Sequence, residues 1–197
     1  MRSNWLSFLS SFLAVFCLLN LAHCQCQTSF QLYAYGEGIG GLPVFYADGN
    51  AQIGNQSLSN STEVVSIYCT IDLDSPKVWR ALPNMTESPD ARFESMIFNL
   101  PTLSGSSGGN VGFADPDDLA RLDTKPLTLY GNFVLIDSTN ANFFGSRAGA
   151  DGVYNLGWNA AEQADDHRVS LTLRTVPPST DSVLAGGFNP VPGEDEL

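Results

Sequence analysis

The residues able to do chemistry are few, and they are scattered along the chain. Gly105-Ser106-Ser107-Gly108-Gly109 spells the G-x-S-x-G of a nucleophile elbow. That device needs a strand directly before it and a helix directly after. Here it sits in a Ser/Gly linker between extended segments and reads as a flexible loop. His167, beside Asp165 and Asp166, is the one histidine beyond the N-terminal leader. A catalytic triad or a histidine zinc site would rest on it alone, and its acidic surroundings read as a solvated turn. Paired carboxylates about 5–9 Å apart would suit a glycosidase. Glu37, Asp48, Asp72, Asp74 and Asp151 could supply them, but turn geometry already accounts for Asp48, Asp151, Asp72 and Asp74. Asp115, Asp117 and Asp118 could hold calcium, yet together with Pro116 they spell a helix start. No catalytic residue, metal or cofactor is therefore expected. Among the aromatics that could stack on a sugar ring, Trp79, Trp158, Tyr46 and Tyr154, the two tyrosines lie nearest to turns. The competing reading is burial in the core. The expected binding set is Tyr46, Asp48, Asp151, Tyr154 and Trp158.

The elements that must position these residues are organised by a repeat. Phe30 to Asn55 reads as strand, glycine-rich turn, strand, tight Asp-Gly turn, strand. An echo lies 103 residues downstream without insertion: Phe30 and Leu32 align with Phe133 and Leu135, Ala47-Asp48-Gly49 with Ala150-Asp151-Gly152, and Ile53-Gly54 with Leu156-Gly157. Elsewhere alternation dominates over helical periodicity. Glu63 to Ile71 and Arg168 to Val176 alternate cleanly. Leu127 to Asp137 reads as one long strand, and Ser138 to Gly149 as a loop. One short helix is expected after Asp115, to about Asp123. About nine antiparallel strands in one domain, residues 25–178, predict an all-β sandwich. A closed barrel is the main alternative. A β-trefoil would need a third copy of the unit, and Phe98-Asn99-Leu100 with Ala114-Asp115 is one residue short of one.

Residues 1–24 have the layout of a secretory signal peptide: Arg2, an apolar run from Trp5 to Leu21, then Ala22-His23-Cys24. Cleavage there leaves Cys26 and Cys69, an even count that favours a Cys26–Cys69 disulfide in an oxidising compartment. The alternatives are cleavage after Cys26 and a buried free Cys69. Three N-x-[ST] sequons, at Asn55, Asn60 and Asn84, fall between strands and suggest a secreted glycoprotein. Residues 179–197 are small, acidic and Gly/Pro-rich, which predicts a disordered tail. Their last four, Glu194-Asp195-Glu196-Leu197, carry Glu where an endoplasmic-reticulum retention signal carries a base. The formal charge is −12; it argues against nucleic-acid and anionic-membrane partners. A monomer is expected.

The stretch F-Q-L-Y-A-Y-G-E-G-I-G-G-L-P-V-F-Y-A-D-G-N-A-Q-I-G resembles the opening of a group of small secreted proteins of filamentous fungi, some of them effector-like. The closing V-Y-N-L-G-W-N and V-S-L-T-L-R-T-V fit the same group. The resemblance implies an extracellular protein acting at a cell wall or host surface, and it brings no catalytic residues with it. The expected function is non-enzymatic binding of cell-wall polysaccharide, glycan or host protein. The alternatives are an acidic hydrolase working through paired carboxylates and a structural wall protein.

Overall fold

The computed structural model describes residues 29–72, 75, 77–102, 108–149, 151–159 and 167–179. The leader, Cys26, Asp74, Gly105-Ser106-Ser107, Asp165-Asp166 and the tail after Ser179 lie outside the described residues.

Thirteen strands appear among those residues. The first six are β1 (Tyr33–Gly36), β2 (Ile39–Ala47), β3 (Asn50–Gly54), β4 (Val64–Ile71), β5 (Trp79–Pro83) and β6 (Met96–Asn99). Then come β7 (Gly108–Asn110), β8 (Gly112–Ala114), β9 (Leu127–Tyr130), β10 (Phe133–Ile136), β11 (Asn142–Arg147), β12 (Val153–Asn159) and β13 (Arg168–Arg174). Neighbours follow the order β1-β2-β4-β5-β6-β8-β3-β12-β11-β13, and β13 pairs back onto β1. Ten antiparallel strands therefore close a barrel. The hairpin β2–β3 ties across it, β10–β9 hangs from β13, and β7 pairs with β12.

This corrects the two-sheet sandwich expected above in favour of the barrel alternative. Closure depends on Tyr33–Gly36 meeting Leu171–Arg174, partners about 140 residues apart that no local pattern reveals. The approach is close: a Cβ on Gly36 would stand 2.5 Å from the Ser170 carbonyl oxygen. Closure leaves the ring without edges, the standing hazard of an open sheet. Its inside is filled by one apolar cluster that includes Leu32, Ile53, Trp79, Leu156, Trp158 and Leu173.

Other expectations change with the barrel. Leu127 to Asp137 is two strands, because Gly131 takes a φ of +59° and Tyr130 turns back to face Phe133. The expected loop at Ser138–Gly149 contains β11, whose adjacent Phe143 and Phe144 are both buried on opposite faces, so no alternation marks it. The expected helix is a 3-10 turn, Pro116–Arg121. Its start is as read: the Asp117 N–H donates to Asp115 Oδ1 at 2.9 Å. Cys69 carries no disulfide; its side chain is enclosed in the core, where burial pushes the thiol up to about 12.

The repeat is present, with limits. The hairpins β2–β3 and β11–β12 correspond, and each is followed by a third strand, β4 or β13, paired to its first. Across the β3–β12 seam, Gln52 stands directly opposite Asn155, its own equivalent 103 residues on. A local two-fold axis therefore passes between them. A strict dyad would also pair Ala51 with Leu156. Instead Val111 wedges in, accepting from the Ala51 N–H at 2.9 Å and donating to the Leu156 carbonyl at 2.8 Å. The leading strands do not correspond. Phe30 bridges to Cys69 and Leu32 is buried, whereas Phe133 pairs with Tyr130 and Leu135 is exposed.

Candidate functional site

The expected binding residues do not gather in one place. Tyr46 is buried between Phe93 and Phe113, ring centroids 4.8 and 5.2 Å away, and Trp158 is 1% exposed. Both belong to the core and offer no face to a sugar, which corrects that expectation in favour of burial. Asp48 is a structural acceptor. Its two carboxylate oxygens take the N–H groups of Glu63 at 2.8 Å and Thr62 at 2.7 Å, and these bonds hold its carboxyl below the usual range. Asp151 is fully exposed and 3.6 Å from Arg147. Asp72 accepts from Ser75 and from Arg80, each at 3.2 Å.

Tyr154 alone lines a cleft, of about 940 Å³, together with Glu37, Ser146, Arg147, His167 and Arg168. The remaining described lining is Val169 and Ser170 of β13. This strand positions the site. Leu171 and Leu173 point into the core, while Ser170 and Thr172 are exposed and Arg168 and Arg174 half-buried on the outer face. Strand alternation places all four of those outward side chains in one file.

At the far end of β13 a row crosses four strands. Tyr130 faces Phe133, Phe133 faces Arg174, and Arg174 faces Tyr33. Direct partners on an antiparallel ladder share a face. Tyr130 is 75% exposed and Phe133 42%. The Arg174 guanidinium lies 4.9 Å from the Phe133 centroid and 5.2 Å from that of Tyr35, held between two rings by cation–π attraction. The Tyr35 hydroxyl is fixed by donation to the Val176 carbonyl at 3.0 Å. At the cleft end Arg168 covers Phe144 in the same way, at 4.3 Å.

Sequence reasoning missed Tyr130, Phe133 and Arg174. A signal was present in Gly131-Asn132, a turn dipeptide inside what otherwise reads as one strand. Among the sequons, Asn55 and Asn60 are exposed. Asn84 is 4% exposed, with its Oδ1 taking the Thr86 N–H at 3.2 Å, so a glycan there has no room in the folded protein. Among the described residues no group of three or more His, Cys, Asp or Glu is placed to hold a metal ion. No protein-family model matches the chain, and no curated protein or solved structure matches it either.

Proposed function

We propose that this is a secreted, non-enzymatic β-barrel protein that binds a glycan of a cell wall or host surface along the outer face of β13. The observation that carries the reading is the exposed row Tyr130–Phe133–Arg174, continued along β13 by Ser170 and Thr172 into the cleft holding Tyr154. Rings offer flat apolar faces to the C–H side of a sugar, and hydroxyls and guanidinium groups answer its oxygens. The barrel interior is filled with side chains, which favours a ligand on the outside. A carboxylate hydrolase needs two acids facing across one cleft; among the described residues this cleft is lined by one acid, Glu37, with two arginines and a histidine.

The test is retention of the secreted protein on chitin, β-glucan and plant-wall fractions, wild type against a Tyr130→Ala/Phe133→Ala double variant. Both rings are exposed, so the variant is expected to keep its thermal melting point and lose retention. Retention on no fraction, or equal retention of both proteins, overturns the reading.

A further inference from the structure

Among the described residues, charge on the outer face of β13 runs against the charge of the chain. The protein carries 9 Lys and Arg against 21 Asp and Glu. Yet Arg168 and Arg174 stand at the two ends of this face, and Arg147 and His167 line the cleft beside it. The two arginines lie six positions apart on the strand, about 20 Å at the rise of an extended chain.

Arg174 is the sharper observation. It makes no ion pair among the described residues, and its guanidinium is held 4.9 Å from the Phe133 ring and 5.2 Å from the Tyr35 ring. A guanidinium so placed is positioned in advance to take a carboxylate. Among the described residues, the acids near this face do not satisfy it. Asp151 is spent weakly on Arg147, where both side chains are at least 80% exposed, and Glu37 lies in the cleft at the other end.

We infer that the ligand of this face is an acidic glycan, a linear polysaccharide bearing uronate carboxylates, with Arg174 and Arg168 taking carboxylates at the two ends of the bound stretch. This rests on the glycan reading above and names its ligand class. Rings alone would suit any flat sugar. Arginines flanked by rings, on a chain of charge −12, add a requirement for negative charge. The width of the file, one strand with rings on either side, suits an extended polymer chain.

Four probes separate the outcomes: polygalacturonate, its methyl ester, a neutral β-glucan and single-stranded DNA. Each is titrated against the full secreted protein, with Arg174→Gln, Arg168→Gln, Arg174→Lys and the Tyr130→Ala/Phe133→Ala variant alongside. The expected result is tightest binding to polygalacturonate, weakened by salt and largely lost on esterification. Each Gln variant should weaken it about tenfold, the cost of one charge-assisted contact, and Arg174→Lys should restore only part of that. Because Arg168 and Arg174 are tested separately, loss of folding in one variant, read from its melting curve, leaves the other to decide. Equal binding to the ester and the β-glucan, unmoved by the Arg variants, overturns the acidic class and leaves the glycan reading standing. Binding to DNA as tight as to polygalacturonate overturns it in favour of a general polyanion surface. Binding to no glycan, with the Tyr130/Phe133 variant silent, removes both readings together.

Discussion

The units β2–β3–β4 and β11–β12–β13 are built alike and finished differently. On β4 Val65 and Ile67 turn inward, as Val169 and Leu171 do on β13. The outer faces diverge. Ser66 and Thr70 are buried: the Ser66 N–H donates to Ser88 Oγ at 3.0 Å, and the Asn84 N–H donates to the Ser66 carbonyl at 2.7 Å. The chain itself therefore covers β4. On the outer face of β13, Ser170 and Thr172 are exposed and flanked by arginine and tyrosine. When one copy of a unit is sealed by its own loop and the other is left open, the open copy is the one free to meet something outside the chain.

The comparison can be broken first in the core. Ile53 and Leu156 are equivalent and fully buried, so Ile53→Ala and Leu156→Ala should each cost about 2–5 kcal/mol in denaturant unfolding. A near-neutral result at either position would mean the two hairpins do not share one core.

The next test sharpens the difference. Gly54 and Gly157 are equivalent but are constrained by different atoms. A Cβ on Gly54 would stand 2.1 Å from the Gly152 carbonyl oxygen, and Gly54 also has a φ of +125°. A Cβ on Gly157 would stand 2.3 Å from the Phe144 ring. Each Gly→Ala change should destabilise by about 1–3 kcal/mol. Adding Phe144→Leu should recover part of the loss at Gly157 and none of it at Gly54, as melting temperatures of the four variants will show.

The two-fold axis gives a smaller effect. Gln52 Nε2 donates to Asn155 Oδ1 at 3.1 Å, a bond worth about 1 kcal/mol net. Gln52→Asn and Asn155→Gln should each lower stability, and the double swap should restore most of it, because the axis makes the two positions interchangeable. Additive losses in the swap would argue against the axis.

Last come the two Asp-Gly turns. Asp48 takes a φ of +46° and Gly49 +84° in a two-residue turn, and both Asp48 oxygens are bonded. Asp151 has only an exposed arginine. Asp48→Asn should therefore destabilise, while Asp151→Asn should leave the melting point unchanged. The carboxyl of Asp48 titrates lower folded than unfolded. Its contribution is thus complete above about pH 5 and fades as the pH falls through its folded value. The gap between wild type and Asp48→Asn should close in acid, and a gap constant from pH 7 to pH 2 would rule the linkage out.

Short-range order was legible in the sequence. Alternation marked β4 and β13, Asp48-Gly49 marked a tight hairpin, Asp115-Pro116 marked the 3-10 start, and the 103-residue echo marked two equivalent hairpins. These are local matters, set by side-chain period and by which residues tolerate a left-handed backbone. Legibility failed where meaning depended on a partner far along the chain. β11 hid behind two adjacent phenylalanines, one for each side of the sheet. Tyr46 and Trp158 looked available because nothing nearby says which face is the inside. Tertiary structure alone decided that β13 returns to β1 and that β4 is covered while β13 stays open. It also set Arg174 between Phe133 and Tyr35, residues 41 and 139 positions away along the chain. Closure and covering are pairings between distant segments, and a one-dimensional pattern specifies the period of each strand without specifying which strand lies beside it.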